Sequence, residues 1–131
     1  MLNTFKVIWL QVHLPHLKPI LVGSCYRPPS ANGQYLDNMC EMLDNVCDIN
    51  REVYFWGDLN IDWLSSSSPL KKKLQTVTSA CNLDQIVSQP TRVVTNSTGM
   101  KSSTCIDHIF TNAADIFFKA VPNTLDVVMT I

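Results

Sequence analysis

The stretch EVYFWGDLNIDW, residues 52–63, decides the fold of this chain. It begins with a nearly continuous apolar run, the pattern of a central strand covered on both faces. Asp58 and Asn60 follow two residues apart, so both side chains can project from the strand end into one crevice. There an Asp can activate water or hold a divalent cation, and an Asn can donate to a phosphoryl oxygen. The same two residues can equally cap a turn after the strand.

Hydrophobic periodicity predicts the elements on either side of this strand. Residues 5–12 and 19–26 are rich in β-branched and large apolar residues, which predicts an antiparallel hairpin with a short connection. Over residues 34–49 and 69–82 apolar positions recur every three or four residues, which predicts two helices. A Ser-Pro pair gives the second helix a cap and a favourable first residue.

The rest of the chain predicts short strands at 91–95, at 105–112 and within 115–121, with a polar turn over 96–103. The element order is then β-β-α-β-α-β-β-β. This order predicts an α/β (α+β) fold with a mixed, mostly antiparallel sheet and two helices on one face. The opposite sheet face has no predicted cover, so we expect something else to pack there.

Length, charge and composition indicate which broad class of protein this chain belongs to. The 131 residues fit one domain, and a net charge of −1 gives no global basic field for nucleic acid. That does not exclude a nucleic-acid enzyme, because a metal can supply positive charge locally. No apolar run is long enough for a membrane span, and no secretory signal is present. Five irregularly spaced cysteines indicate reduced thiols, so we expect an intracellular protein, nuclear or cytoplasmic.

Three blocks together resemble the endonuclease/exonuclease/phosphatase family: YRPP (26–29), WGDLNIDW (56–63) and STCIDHIFTN (103–112). They look most like the apurinic-endonuclease-like endonuclease domain of non-LTR retrotransposon polyproteins. The similarity spans about residues 5–121 and corresponds to the C-terminal half of a four-layer αββα sandwich. It implies Mg²⁺-dependent phosphodiester hydrolysis, with DNA as the substrate, in retrotransposition.

The resemblance also implies roles for four residues at matching positions. Tyr26 would contact the scissile phosphate or its surroundings. Asp58 would activate or orient the attacking water and is a weak candidate for a metal ligand, and Asn60 would hold a phosphate oxygen. Asp107 would orient a catalytic histidine, since a buried Asp fixes the imidazole tautomer and favours its charged form.

Two departures from the family pattern limit this expectation. The family ends with an S-D-H motif; here Asp126 in its Asp position would leave Val127 where the histidine belongs. His108 cannot substitute, because it is adjacent to Asp107 and would point to the opposite face of a strand. The early Asn and the metal-ligating Glu, often within Q-E-T, have no counterpart before residue 5.

We therefore expect residues 1–131 to form a partial domain that is inactive by itself. Its partners would be DNA and either the missing half-domain or another protein on the uncovered sheet face. The alternative is a non-catalytic remnant that acts only as a nucleic-acid or protein binding module.

Overall fold

The computed structural model describes residues 6–115. In chain order its elements are β1 (Val7–Val12), β2 (Ile20–Tyr26), α1 (Gln34–Cys47), β3 (Val53–Asp58), α2 (Pro69–Ala80), β4 (Asp84–Gln85), β5 (Arg92–Thr95), β6 (Lys101–Thr104) and β7 (Asp107–Thr111). No helix within the described part of the chain combines the length and the apolar character that crossing a membrane requires.

Within residues 6–115, five strands form the main sheet in the order β1-β2-β3-β7-β4. Among these described strands only β2 and β3 run parallel, and α1 makes the crossover that such a pair requires. The pairs β1–β2, β3–β7 and β4–β7 are antiparallel. The predicted mixed, mostly antiparallel sheet and its opening hairpin are therefore confirmed.

Local sequence signals fix the helix ends. The Ser68 side chain accepts a hydrogen bond from the Lys71 backbone N–H at 3.2 Å, and Pro69 occupies the first turn of α2. Both helices end two residues earlier than predicted. Asn50 and Asn82 follow them with φ of 57° and 55°, the left-handed conformation that stops a helix.

Both helices pack on the same face of the main sheet, as predicted. Their apolar stripes contribute Leu36, Met39 and Leu43 from α1 and Leu74 from α2 to one buried cluster. The strands contribute Val53, Phe55 and Phe110, all fully buried. Trp9 extends this cluster toward the sheet edge by stacking on Phe55, with 5.7 Å between ring centroids.

The opposite sheet face is apolar and largely uncovered within residues 6–115. Strand register places Ile8, Ser24, Trp56 and Ile109 in one cross-strand row, and Leu10, Val22 and Tyr54 in the next. Ile8, Leu10 and Trp56 are 70%, 59% and 38% exposed, although large apolar side chains on a sheet are usually buried. We call this surface the open face; its apolar members are Ile8, Leu10, Val12, Val22, Tyr54, Trp56 and Ile109.

The segment 91–104 differs from its prediction. The predicted polar turn contains a strand, β6, which pairs with β5 in a separate two-stranded sheet rather than in the main one. Asn96 closes this hairpin by accepting hydrogen bonds from the N–H groups of Thr98 and Met100. Nearly all residues of both strands are exposed, so no buried face gave the periodicity that reveals a strand.

Two further short strands need separate mention. The short strand β4 was not predicted, because two residues are too few to show a pattern. The strand expected within 115–121 lies outside the described residues, apart from Asp115.

Candidate active site

Three of the four predicted site residues lie in one cross-strand row. Tyr26 is the register partner of Asp58, and Asp58 is the register partner of Asp107. Directly paired residues project to the same side of a sheet, so all three share one face at one end of the sheet. We call these three residues the site row. Tyr26 is exposed and both carboxylates are half-buried, so the row is accessible from solvent.

The site row lies on the open face, not on the helix-covered face. Trp56 precedes Asp58 by two residues on β3, and Ile109 follows Asp107 by two residues on β7, so these four side chains share a face. The apolar surface therefore continues directly into the carboxylates. Any layer that packs on the open face would reach the site row.

Asp58 is held in an electrostatically unfavourable position. Burial raises the pKa of its carboxyl group, and the nearby Asp107 carboxylate raises it further. The Asn60 backbone N–H, which donates to Asp58 Oδ1 at 3.2 Å, and the Arg92 guanidinium both act to lower this pKa. Burial outweighs them, so Asp58 holds its proton more tightly than an exposed aspartate does.

Asn60 is adjacent to the site row and adopts the left-handed conformation, with φ of 52°. This conformation turns the chain sharply after β3 and is easier for Asn than for most other residues. Its side-chain Nδ2 donates to the carbonyl oxygen of Arg27 at 2.7 Å. Asn60 therefore shapes a turn, as the simpler sequence interpretation proposed, and it does so beside Asp58.

Arg27 joins the two loops of the site and was missed by the sequence analysis. Its Nη1 donates to the Leu59 carbonyl at 3.2 Å, and its Nη2 donates to the Ala31 carbonyl at 2.7 Å. Its backbone N–H donates to the Asp58 carbonyl at 2.9 Å, and its own carbonyl accepts from Asn60. The side chain is only 2% exposed, unusual for arginine. The available signal was its place in the YRPP block, where only the tyrosine was considered.

A network of backbone contacts positions Asp107. The Thr91 hydroxyl accepts from the N–H groups of Ile106 and Asp107 at 3.1 and 3.3 Å. The Asp62 carboxylate accepts from the Cys105 N–H at 3.0 Å and so connects the loop after β3 to the start of β7. Thr91 and Asp62 are thus supporting residues that the sequence analysis did not identify.

His108 does not belong to the site. It lies on the helix-covered face, is 1% exposed, and packs against Trp63 and Phe110. Its Nε2 lies 2.9 Å from the Ile61 carbonyl, and its Nδ1 lies 2.6 Å from Gln85 Nε2. A carbonyl only accepts, so Nε2 carries the proton. The Gln85 amide nitrogen only donates, so Nδ1 accepts from it and the ring is neutral. Burial lowers the pKa of His108 to about 4, in agreement with a neutral structural histidine.

The described residues do not form a complete metal site. Residues 6–115 contain no group of three or more His, Cys, Asp or Glu side chains arranged to hold a metal ion. Asp58 and Asp107 offer two carboxylates, and Asp58 Oδ1 already accepts from Asn60. Mg²⁺ takes near-octahedral oxygen ligands and is often held by one or two carboxylates together with substrate phosphates. Asp58 and Asp107 therefore fit part of a Mg²⁺ site, and further ligands would have to come from outside the described residues.

Comparison with solved structures identifies the class of fold. The endonuclease domain of TRAS1, a telomere-specific non-LTR retrotransposon, superposes with a TM-score of 0.64 at 17% identity. An endonuclease/exonuclease/phosphatase family protein from Bacteroides thetaiotaomicron gives 0.50 at 11% identity. A β-hairpin deletion mutant of beta toxin from Staphylococcus aureus gives 0.50 at 15% identity. The chain therefore has an endonuclease/exonuclease/phosphatase-like fold, and at these identities the likeness concerns the fold alone.

The similarity covers most of this chain but only part of its structural neighbours. It spans 86% of this chain and 58% of the TRAS1 domain. For the Bacteroides protein and the beta toxin mutant the covered shares of those chains are 50% and 44%. No protein-family model matches the sequence, and no curated protein matches it.

Proposed function

We propose that this chain supplies one half of an endonuclease-type active site for Mg²⁺-dependent hydrolysis of DNA phosphodiesters. A second sheet packed on the open face would supply the other half. The observation that carries the proposal is the location of the site row on the open face. Two directly paired carboxylates repel each other and do not stabilise the sheet, so their place beside an uncovered apolar surface favours a role in a site completed on that surface.

The partner's chemistry follows from the open face. Two sheets pack face to face about 10 Å apart through interdigitating apolar side chains. The open face offers rows of such side chains across four strands, with Ile8 and Leu10 more than half exposed. The partial coverage of the TRAS1 domain supports a partner of this kind, because that domain contains additional chain. We therefore propose an apolar β-sheet layer as the occupant, with DNA as the substrate of the completed site.

In this proposal the residues present do four things. The Tyr26 hydroxyl contacts the phosphate, Asp58 accepts a proton from the attacking water, and the free Asn60 amide hydrogen donates to a phosphate oxygen. Asp107 orients an imidazole supplied from outside the described residues. Bound Mg²⁺ would supply charge stabilisation at the phosphate, with Asp58 among its ligands.

The same reasoning makes the isolated chain inactive. Groups that act together in a transition state lose most of their effect when some are missing. The Glu that the family resemblance implies would belong to the other half, and the His would belong to the final S-D-H motif, which has no match in these residues. If the chain binds nucleic acid or protein through the open face without catalysis, it is instead a binding module, and the experiment below separates the two.

The test is a complementation experiment. Residues 1–131 are fused to the part of the TRAS1 endonuclease domain that they do not match, and nicking of supercoiled plasmid is measured with Mg²⁺. Asp58→Asn and Tyr26→Phe versions are matched variants. We expect nicking by the folded fusion, loss of about 10²-fold or more in Asp58→Asn, and a smaller loss in Tyr26→Phe. A folded fusion that binds DNA but does not nick it, or one unaffected by Asp58→Asn, would contradict the enzymatic proposal.

A further inference from the structure

Arg27 is buried without the partner that usually compensates a buried cation. Within residues 6–115 the single salt bridge joins Lys73 to Asp37, so Arg27 has no carboxylate partner there. Burial lowers the pKa of its guanidinium, and its Nε has no hydrogen-bond partner in the described structure. A buried charge that lacks an opposite charge is costly, and an apolar side chain of similar length would fill the same volume at lower cost.

The contacts of Arg27 connect loops rather than the core. Arg27 follows β2 and is not a member of the hydrophobic cluster. Its two Nη atoms reach carbonyls of Ala31 and Leu59, one in its own loop and one in the turn after β3. Its backbone adds two hydrogen bonds to the turn, to the Asp58 carbonyl and from Asn60 Nδ2. Three of these four hydrogen bonds join the two loops, one of them through the guanidinium, and the fourth fixes the guanidinium within its own loop.

Three of the four candidate catalytic residues lie in these loops or at the strand ends next to them. Tyr26 immediately precedes Arg27, and Asp58 and Asn60 flank Leu59 on either side. We infer that Arg27 is a positioning residue: its planar guanidinium holds the turn after β3 against the end of β2. This fixes the Asp58 carboxylate and the Asn60 amide relative to Tyr26. The inference rests on the proposed function only for its catalytic consequence; its structural part stands on the hydrogen bonds alone.

Lysine cannot replace this arrangement. A guanidinium presents several N–H donors in a fixed plane, whereas an ammonium is a single point of charge on a flexible stem. Arg27→Lys therefore keeps the charge but cannot hold the Ala31 and Leu59 carbonyls in the same geometry. Arg27→Met keeps the length and removes both charge and donors. Arg51→Met is the matched control, because Arg51 also has a buried Nε without a partner but precedes β3 at its far end.

The first measurement is amide hydrogen exchange in residues 1–131, which needs no enzymatic activity. In Arg27→Met we expect the amides of residue 27 and Asn60 to exchange about tenfold faster or more, as when a local hydrogen-bonded unit opens. The Phe55 amide, in the centre of β3, should change less than about twofold. Arg27→Lys should show the same pattern at smaller amplitude, and Arg51→Met should leave both loop amides unchanged.

Two outcomes would overturn the inference. Unchanged exchange at residue 27 and Asn60 in Arg27→Met would mean that the loops hold their position without the guanidinium. Equal acceleration at Phe55 and the loop amides, or global unfolding of both Arg27 variants, would mean that Arg27 stabilises the whole fold and positions nothing in particular.

The second measurement uses the TRAS1 fusion. We expect Arg27→Lys to lower kcat about tenfold or more while KM for plasmid changes less than about threefold, because a positioning residue affects the reacting geometry more than binding. An equal fall of kcat in Arg51→Met, or a rise of KM alone in Arg27→Lys, would contradict positioning. If no fusion nicks DNA, the proposed function fails, and the exchange result still decides whether Arg27 positions the loops.

Discussion

Asp58 on β3 and Asp107 on β7 are directly opposed register partners on the same sheet face. Like charges at such positions destabilise a sheet, because their β-carbons lie only about 5 Å apart. Burial and this repulsion together raise the pKa of Asp58. Functional sites commonly contain charged groups whose pKa is shifted by burial and by a like charge in this way.

Neutralising Asp58 should therefore stabilise the fold at neutral pH. A folded-state carboxyl pKa above the unfolded one means that the native chain binds more protons there, so stability falls as pH rises through that window. Asp58→Asn should raise the urea midpoint at pH 7, with little effect near pH 3, where both states are protonated. Asp84→Asn, which removes an exposed carboxylate from the same sheet, is the control. A lower midpoint for Asp58→Asn at pH 7 would mean that the ionised carboxylate is stabilising.

His108 should make the fold sensitive to acid. Burial lowers its pKa from 6.5 to about 4, so the unfolded chain binds the extra proton between these values and stability is lost as pH falls through them. The loss should be on the order of 3 kcal/mol between about pH 7 and pH 4. Urea titrations of wild type, His108→Gln and the exposed-site control His13→Gln test this. If His108→Gln keeps the wild-type slope over that pH range, another group is responsible.

Gly57 should tolerate no side chain. A β-carbon there would lie 2.2 Å from the Cys25 carbonyl oxygen and 2.9 Å from its Sγ, and a strand backbone cannot move aside easily. Gly57→Ala should cost on the order of 1–3 kcal/mol of unfolding free energy. Gly33→Ala is the control, since its β-carbon would meet only Lys73 Nζ at 3.8 Å, an ordinary contact. Equal stability of the two variants in urea would show that β2 and β3 can separate.

The sequence predicted the elements whose apolar residues recur at a regular spacing because one face packs on the core. Both helices and the hairpin β1–β2 are of this kind, and the structure confirms them. The direct pairing of Asp58 with Asp107 could not be read from spacing, because register depends on contacts between strands 49 residues apart in sequence. The hairpin β5–β6 and the cross-loop hydrogen bonds of Arg27 were missed for related reasons. The first has no buried face, and the second joins loops that show no periodicity.

The open face should make the isolated chain associate. A contiguous exposed apolar surface that extends over several strands is expected to bind a partner or to aggregate. Ile8→Lys/Leu10→Lys should reduce dye binding to exposed apolar surface and self-association several-fold. Unfolding free energy should change by less than about 1 kcal/mol, because these side chains are already mostly exposed. The control Val93→Lys alters a similarly exposed apolar residue on β5. Sedimentation velocity that shows a monomer for wild type, with no dye binding, would contradict this prediction.

Nicking of supercoiled plasmid by purified residues 1–131 tests the central claim most directly. The assay uses Mg²⁺ or Mn²⁺, with Asp58→Ala beside the wild-type chain. If the chain supplies only one half of the site, neither protein should nick above background, since loss of one acid–base group alone lowers rates roughly 10²–10⁴-fold. Nicking by the wild-type chain that Asp58→Ala abolishes would show that these residues already form a complete active site, and would contradict the half-site account.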